Sequence, residues 1–252
     1  MRADGSHRAP RVPRQRGGEV PRQREGGTLP SPPPAHRQAG EADRRRPVLL
    51  GRQTVFTVGG ARYGCELLYR SAVATTPVDE WPADEQDRAT RHVVLTALRC
   101  GLEALGGHGP VFVNATRTLF VGEMDLPPLP AGMGLEVVES VRAEPDVVAG
   151  VRALRDAGHL VAIDDFSGLP DQLVLLPDVD LVKIDLRDLR AHGAGLLDAA
   201  RRYGATTVAE RVETPDDLAW CRTLGFDLVQ GNLLEPALVL DVGRVRSSGS
   251  HR

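Results

Sequence analysis

Lysine is almost missing from this 252-residue chain: Lys183 stands alone beside thirty arginines. Asparagine is nearly as scarce, with only Asn114 and Asn232. Where arginine is so strongly favoured, a retained lysine points to a need for a compact three-donor ammonium instead of a planar fork. Aromatic residues make up 4%, so the core must be aliphatic. Three cysteines, Cys65, Cys100 and Cys221, are odd in number and form no CxxC pair. That suggests neither a disulfide framework nor a zinc knuckle, and makes a reducing cytoplasm the expected compartment. No stretch approaches the roughly 18 apolar residues needed to cross a bilayer, so no membrane span is expected.

Charge is unevenly placed. Residues 1–52 carry 12 arginines against 5 acidic residues, leaving 19 basic and 29 acidic residues beyond them. A body that acidic is a poor partner for duplex nucleic acid, which is bound largely through phosphate neutralisation. The arginine-, proline- and glycine-rich start also lacks the apolar stretch of a secretory signal. Its composition cannot bury enough apolar surface to offset ordering. The expected organisation is a disordered tail over 1–50, one folded domain over 51–240 and a disordered tail over 241–252.

From Thr54 the pattern changes. Val55, Phe56 and Val58, a Gly59-Gly60 turn, and Tyr63, Cys65, Leu67 and Tyr69 alternating with polar neighbours predict a β-hairpin. Helical spacing follows over 84–105, ending at Gly106-Gly107. Short apolar strands then read at 111–114, 135–138, 160–163, 181–184, 206–209 and 228–230, with helical patterns between most of them. Thr214-Pro215-Asp216-Asp217 is a helix start, and Gly158, Gly204 and Gly225 fall where helices should stop. Repeated βα units without a glycine-rich dinucleotide turn predict an α/β fold, a TIM-like (β/α) barrel whose chemistry sits at the C-terminal strand ends.

At those ends stand Asn114, Asp164 and Asp165, Lys183, Glu210 and Gln230, with Glu66 and Glu136 within strands. Any one of them reads as a turn or cap residue. Together, carboxylates meeting at one barrel mouth would repel each other unless a cation sat among them. Oxygen ligands with one amide carbonyl suit Mg2+ or Mn2+, whereas zinc would recruit His or Cys. A pair of such ions serves phosphodiester chemistry.

Taken in order, Glu66-Leu67-Leu68-Tyr69-Arg70, Val113-Asn114, Glu136-Val137-Val138-Glu139, Asp164-Asp165-Phe166, Lys183-Ile184-Asp185, Ala209-Glu210-Arg211-Val212-Glu213 and Gln230-Gly231 resemble the successive motifs of EAL domains. The Glu-Leu-Leu-Tyr-Arg form is similar to the branch joined to HDOD domains, with little chain after Pro236 to hold that partner. The resemblance implies hydrolysis of cyclic di-GMP to linear pGpG on two Mg2+ or Mn2+ ions in bacterial second-messenger signalling. It would assign Glu66, Asn114, Glu136 and Asp164 to the first ion, and Asp164, Asp165 and Glu210 to the second. Lys183 would orient the attacking water, Glu213 would support the site, and Arg70 and Gln230 would contact the ligand.

The chain also departs from the family. Leu67 replaces the signature alanine, Arg211 a glycine, and Asn232 an aromatic residue. After Asp164-Asp165-Phe166 the usual Gly-Thr-Gly-Tyr-Ser-Ser-Leu loop, which orders the metal site and the dimer interface, is replaced by Ser167-Gly168-Leu169-Pro170-Asp171-Gln172-Leu173. Glu139 matches the residue that anchors that loop but lacks its partners. The alternatives to an active phosphodiesterase are a silent receptor or protein-interaction scaffold, and another metal-dependent phosphoesterase. A homodimer and a signalling protein partner are both compatible with the sequence.

Overall fold

The computed structural model describes residues 49–70, 78 and 81–242. The tails expected over 1–50 and 241–252 lie outside these residues, except that Leu49 and Leu50 open the first strand, Asp241 closes the last and Val242 is buried in the core. The hairpin read from the sequence is present: β1 (Leu49–Thr57) and β2 (Arg62–Tyr69) pair antiparallel from Leu50 opposite Tyr69 to Phe56 opposite Arg62. Gly60 turns the chain at φ 91°, a conformation glycine reaches without a Cβ penalty.

Six further strands follow: β3 (Val111–Ala115), β4 (Met133–Val137), β5 (Val161–Ile163), β6 (Leu181–Asp185), β7 (Thr206–Glu210) and β8 (Leu228–Val229). Strands β2 to β8 pair in sequence order and in parallel. Strand β1 joins β8 to β2 antiparallel, closing an eight-stranded barrel. One strand was not expected: β9 (Leu238–Asp241) extends the sheet antiparallel to the start of β1. Its Leu238 and Val239 are both exposed, so it lacks the one-sided alternation that marks a half-buried strand.

Helices α1 (Ala83–Cys100), α2 (Leu102–Gly106), α3 (Arg117–Phe120), α4 (Pro145–Asp156), α5 (Pro170–Leu175), α6 (Leu186–His192), α7 (Gly195–Arg202) and α8 (Pro215–Leu224) lie between the strands. The helix expected over 84–105 is two pieces, because Gly101 takes φ 84° and breaks the ladder. Helix α8 starts as its sequence predicts: Thr214 Oγ1 accepts from the Asp217 N–H, and Asp217 accepts back from Thr214 N.

Alternation along each strand divides the apolar residues into two cores. Val111, Val113, Val161, Ile163, Val182 and Ile184 face outward and pack with the helices. Between them Phe112, Ala162 and Leu181, with Val55, Val208 and Leu228, form a separate cluster that plugs the barrel interior. Gly134 belongs to this interior layer: a Cβ there would come 2.4 Å from the Phe112 ring, so one aromatic side chain fills the space that two residues would otherwise share. Each aliphatic side chain so buried contributes roughly 1.5–3 kcal/mol.

Candidate functional site

The interior plug dictates where the polar residues point. Two residues beyond Phe112, Gly134, Ala162, Leu181, Val208 and Leu228 come Asn114, Glu136, Asp164, Lys183, Glu210 and Gln230. With a period of two, each returns to the inner face one layer nearer the C-terminal end. Parallel strands bring those ends to one mouth. Glu66 joins them from β2, where it lies opposite Phe112 in the β2–β3 register. The ladder continues past two strand ends, with Asp164 N donating to Val137 O at 3.1 Å and Gln230 N to Ala209 O at 2.8 Å.

Lys183 is the hub. Its ammonium donates to Glu66 Oε2 at 3.0 Å and Glu136 Oε2 at 2.9 Å, and lies 2.7 Å from Asp164 Oδ1 and 3.0 Å from Glu210 Oε1. Gln230 Nε2 adds a bond to Glu66 Oε2 at 3.0 Å. Lys183, Glu66, Glu136 and Gln230 are all buried. One ammonium cannot neutralise four carboxylates, and the ionisation of each shows it. Burial would lower the pKa of Lys183, but the four carboxylates drive it well above the ordinary lysine value. Burial alone would raise Glu66; Lys183 and the Gln230 hydrogen bond hold it below the usual range. Glu136 is pushed well up by burial and by repulsion from Glu66. Burial raises Asp164 despite Lys183, and pushes Glu210 up to about 8.

This is a charge-deficient centre that suits a divalent ion. Carboxylate oxygens of Glu66, Glu136 and Asp164 lie within 4.8 Å of one another. Asn114 Oδ1 is buried without a hydrogen-bond partner, as is Gln230 Oε1. A buried carbonyl oxygen left unpaired costs roughly 1–3 kcal/mol. Asn114 is opposite Glu136 in the β3–β4 register, so its free oxygen fits the oxygen-rich ligand set of a hard cation.

The other residues singled out from the sequence stand nearer the rim. Asp165 is exposed, takes the left-handed φ of 43°, and has its carboxyl raised to about 6 by partial burial and by Asp164. Arg70 is exposed at the end of β2, its guanidinium so close to Gly51 that a Cβ there would come 2.9 Å from Nε. Glu213 is also exposed; its backbone N–H binds Asp217, and its side chain makes no hydrogen bond or ion pair with a described residue. Glu139 is likewise exposed and makes no such contact.

Sequence reasoning missed an ion-pair cluster beside Asp165. Asp185 is 2% exposed and accepts from Arg187 Nη2 at 2.6 Å, while Arg211 Nε lies 2.8 Å from the same carboxylate. Burial would raise the pKa of Asp185, but the hydrogen bonds from Arg187 hold it down. Arg211 takes a glycine-like φ of 55°. A non-glycine residue held there signals a constraint imposed by its surroundings.

Fold and mouth together define a (β/α) barrel with a carboxylate cluster at its C-terminal rim that could hold a metal ion. The chain belongs to the EAL domain family, whose model matches residues 108–237. It is 29% identical over 207 residues to the cyclic di-GMP phosphodiesterase CdgJ of Vibrio cholerae, covering 79% of this chain and 46% of that protein. The chain spans about half the length of the curated relatives it matches. The fold is shared with the PaMucR phosphodiesterase solved with c-di-GMP, at TM-score 0.59 and 22% identity, over 78% of this chain and 94% of that one. It is shared too with Bacillus subtilis YkuI, solved with c-di-GMP and calcium, at TM-score 0.59 and 19% identity, over 79% and 59%. Among the described residues, no helix is long and apolar enough to cross a membrane.

Proposed function

We propose that this domain hydrolyses cyclic di-GMP to linear pGpG at the barrel mouth, using two Mg2+ or Mn2+ ions. The observation that carries this reading is the cluster of four carboxylates within 3.0 Å of Lys183 beside the unpaired oxygen of Asn114. The relative CdgJ, named a cyclic di-GMP phosphodiesterase, and the c-di-GMP complexes of PaMucR and YkuI support the choice of ligand.

Glu66, Asn114, Glu136 and Asp164 would hold one ion, and Asp164, Asp165 and Glu210 the other. Bound there, the ions supply Lewis-acid activation of water and charge neutralisation at the phosphodiester. Lys183 keeps its proton among the carboxylates, and orienting the attacking water would take one of the three N–H donors it now directs at them. Its depth below the rim, at 2% exposure, shields that donor from bulk solvent. Gln230 fixes Glu66 through Nε2, while its Oε1 is buried and unpartnered. Arg70 meets a phosphate at the rim with its bidentate fork, and Glu213 supports the site from the loop after β7.

A silent cyclic di-GMP receptor is the second reading, favoured by the substituted loop after Asp165. Purified protein incubated with cyclic di-GMP and Mn2+ decides between them. Hydrolysis predicts pGpG, lost in Glu66→Ala; a receptor predicts binding with no product at high protein concentration. Absence of both binding and product refutes both readings.

A further inference from the structure

The loop that departs from the family is organised from within. Gln172, on α5, is 6% exposed and makes four hydrogen bonds with its side-chain amide. Oε1 accepts from the backbone N–H groups of Ser167, Gly168 and Leu169 at 3.0, 3.1 and 3.1 Å. Nε2 donates to the carbonyl of Asp165 at 3.0 Å. On the other side of Asp165, Phe166 is fully buried and its N–H binds Lys183 O at 2.9 Å. Asp165 is thus held from both sides in a left-handed conformation that costs an L-residue roughly 1–2 kcal/mol. Its carboxylate feels the charges of Asp164, Lys183 and Asp185. Helix α5 is itself docked, since Asp171 Oδ1 accepts from Ala143 N at 3.0 Å and Arg142 reaches Oδ2 at 2.9 Å. Glu139, the family's anchor for this loop, contributes no hydrogen bond among the described residues.

We propose that Gln172 is a positioning residue: its Nε2 bond to the Asp165 carbonyl sets the carboxylate of Asp165 to hold the second divalent ion. This rests on the two-ion reading above. The two halves of the amide have separable tasks. Oε1 stabilises the loop and the start of α5 by accepting from the Leu169 N–H, a task glutamate performs as well, although Leu169 has no side-chain oxygen to complete a capping box. Only Nε2 reaches Asp165, and glutamate lacks it. With three N–H donors on it, a carboxylate at 172 would stay ionised. Its negative charge would by itself favour cation binding, so a loss of metal in Gln172→Glu runs against simple electrostatics.

The test is Mn2+ titration of the full chain by calorimetry and by electron paramagnetic resonance, alongside the melting temperature. Wild type is expected to take two ions. Gln172→Glu, which turns an oxygen toward the Asp165 carbonyl, should melt a few degrees below wild type, keep the first ion, and lose affinity for the second by about tenfold or more, as expected when a supporting hydrogen bond to a ligand residue is removed. Gln172→Met, uncharged and of similar length, should lose the second ion as well and serves if the glutamate variant does not fold. Two ions bound at wild-type affinity in either folded variant overturns the role of Gln172 and leaves the phosphodiesterase reading standing. Uptake of one ion or none by wild type overturns the two-ion reading and this inference with it.

Discussion

Lys183→Met removes the ammonium at the centre of the mouth while keeping much of its stem. The charge lies within 3.0 Å of four carboxylates, two of them from Glu66 and Glu136, which are almost wholly buried. Removing one partner of a buried ion pair costs roughly 3–5 kcal/mol, because the remaining charge is left uncompensated. Here the cost should fall at the low end, about 3 kcal/mol, since Glu136 and Glu210 already have raised pKa values and can take up protons. In a domain of this size each kcal/mol moves the melting temperature by roughly 2–4 °C, giving a fall of about 6–12 °C. Scanning fluorimetry in chelator at pH 7 measures it. Added Mn2+ should restore more in the variant than it adds to wild type, because a cation then enters an uncompensated set of carboxylates. A melting temperature within about 2 °C of wild type in chelator would refute the claim that these carboxylates depend on a cation.

Ionisation gives the metal-free protein a pH dependence of definite sign. Glu210 is pushed up to about 8 by burial, so it favours folding fully below its unfolded pKa and progressively less as pH rises through about 8. Melting temperature in chelator should decline from pH 6 to 9, and Glu210→Gln should flatten that decline. Gly134→Ala places a Cβ 2.4 Å from the Phe112 ring and should cost about 1–3 kcal/mol by overpacking, with partial recovery when combined with Phe112→Leu in urea unfolding. Arg211→Gly relieves a φ of 55° but gives up a half-exposed ion pair and adds unfolded-state freedom. These effects oppose each other, so stability should change by less than about 1 kcal/mol, and a larger loss would show that Arg211 does more than pair with Asp185.

Much of the site was legible because barrel geometry and sequence period coincide. Asn114, Lys183, Glu210 and Gln230 each follow an interior apolar residue by two positions, so reading strand ends was enough to place them at one mouth. What stayed hidden depends on backbone conformation or on contacts between loops. Helical spacing runs straight across Gly101, so periodicity could not show the break that its φ of 84° makes. Gln172 reads as an ordinary residue in a first helical turn; only the fold of Ser167-Gly168-Leu169 brings three N–H groups to its oxygen. Arg211 looks like a loop charge until Asp185, at the end of a neighbouring strand, is seen to hold it. The apolar run of β9 lies too close to Pro236, and is too evenly exposed, for its pattern to signal a strand.

The most direct test of the account is anomalous diffraction from crystals soaked in Mn2+. Manganese should appear among Glu66, Asn114, Glu136 and Asp164, with a second peak beside Asp165 and Glu210. Crystals that diffract well yet show no manganese at the barrel mouth would contradict it.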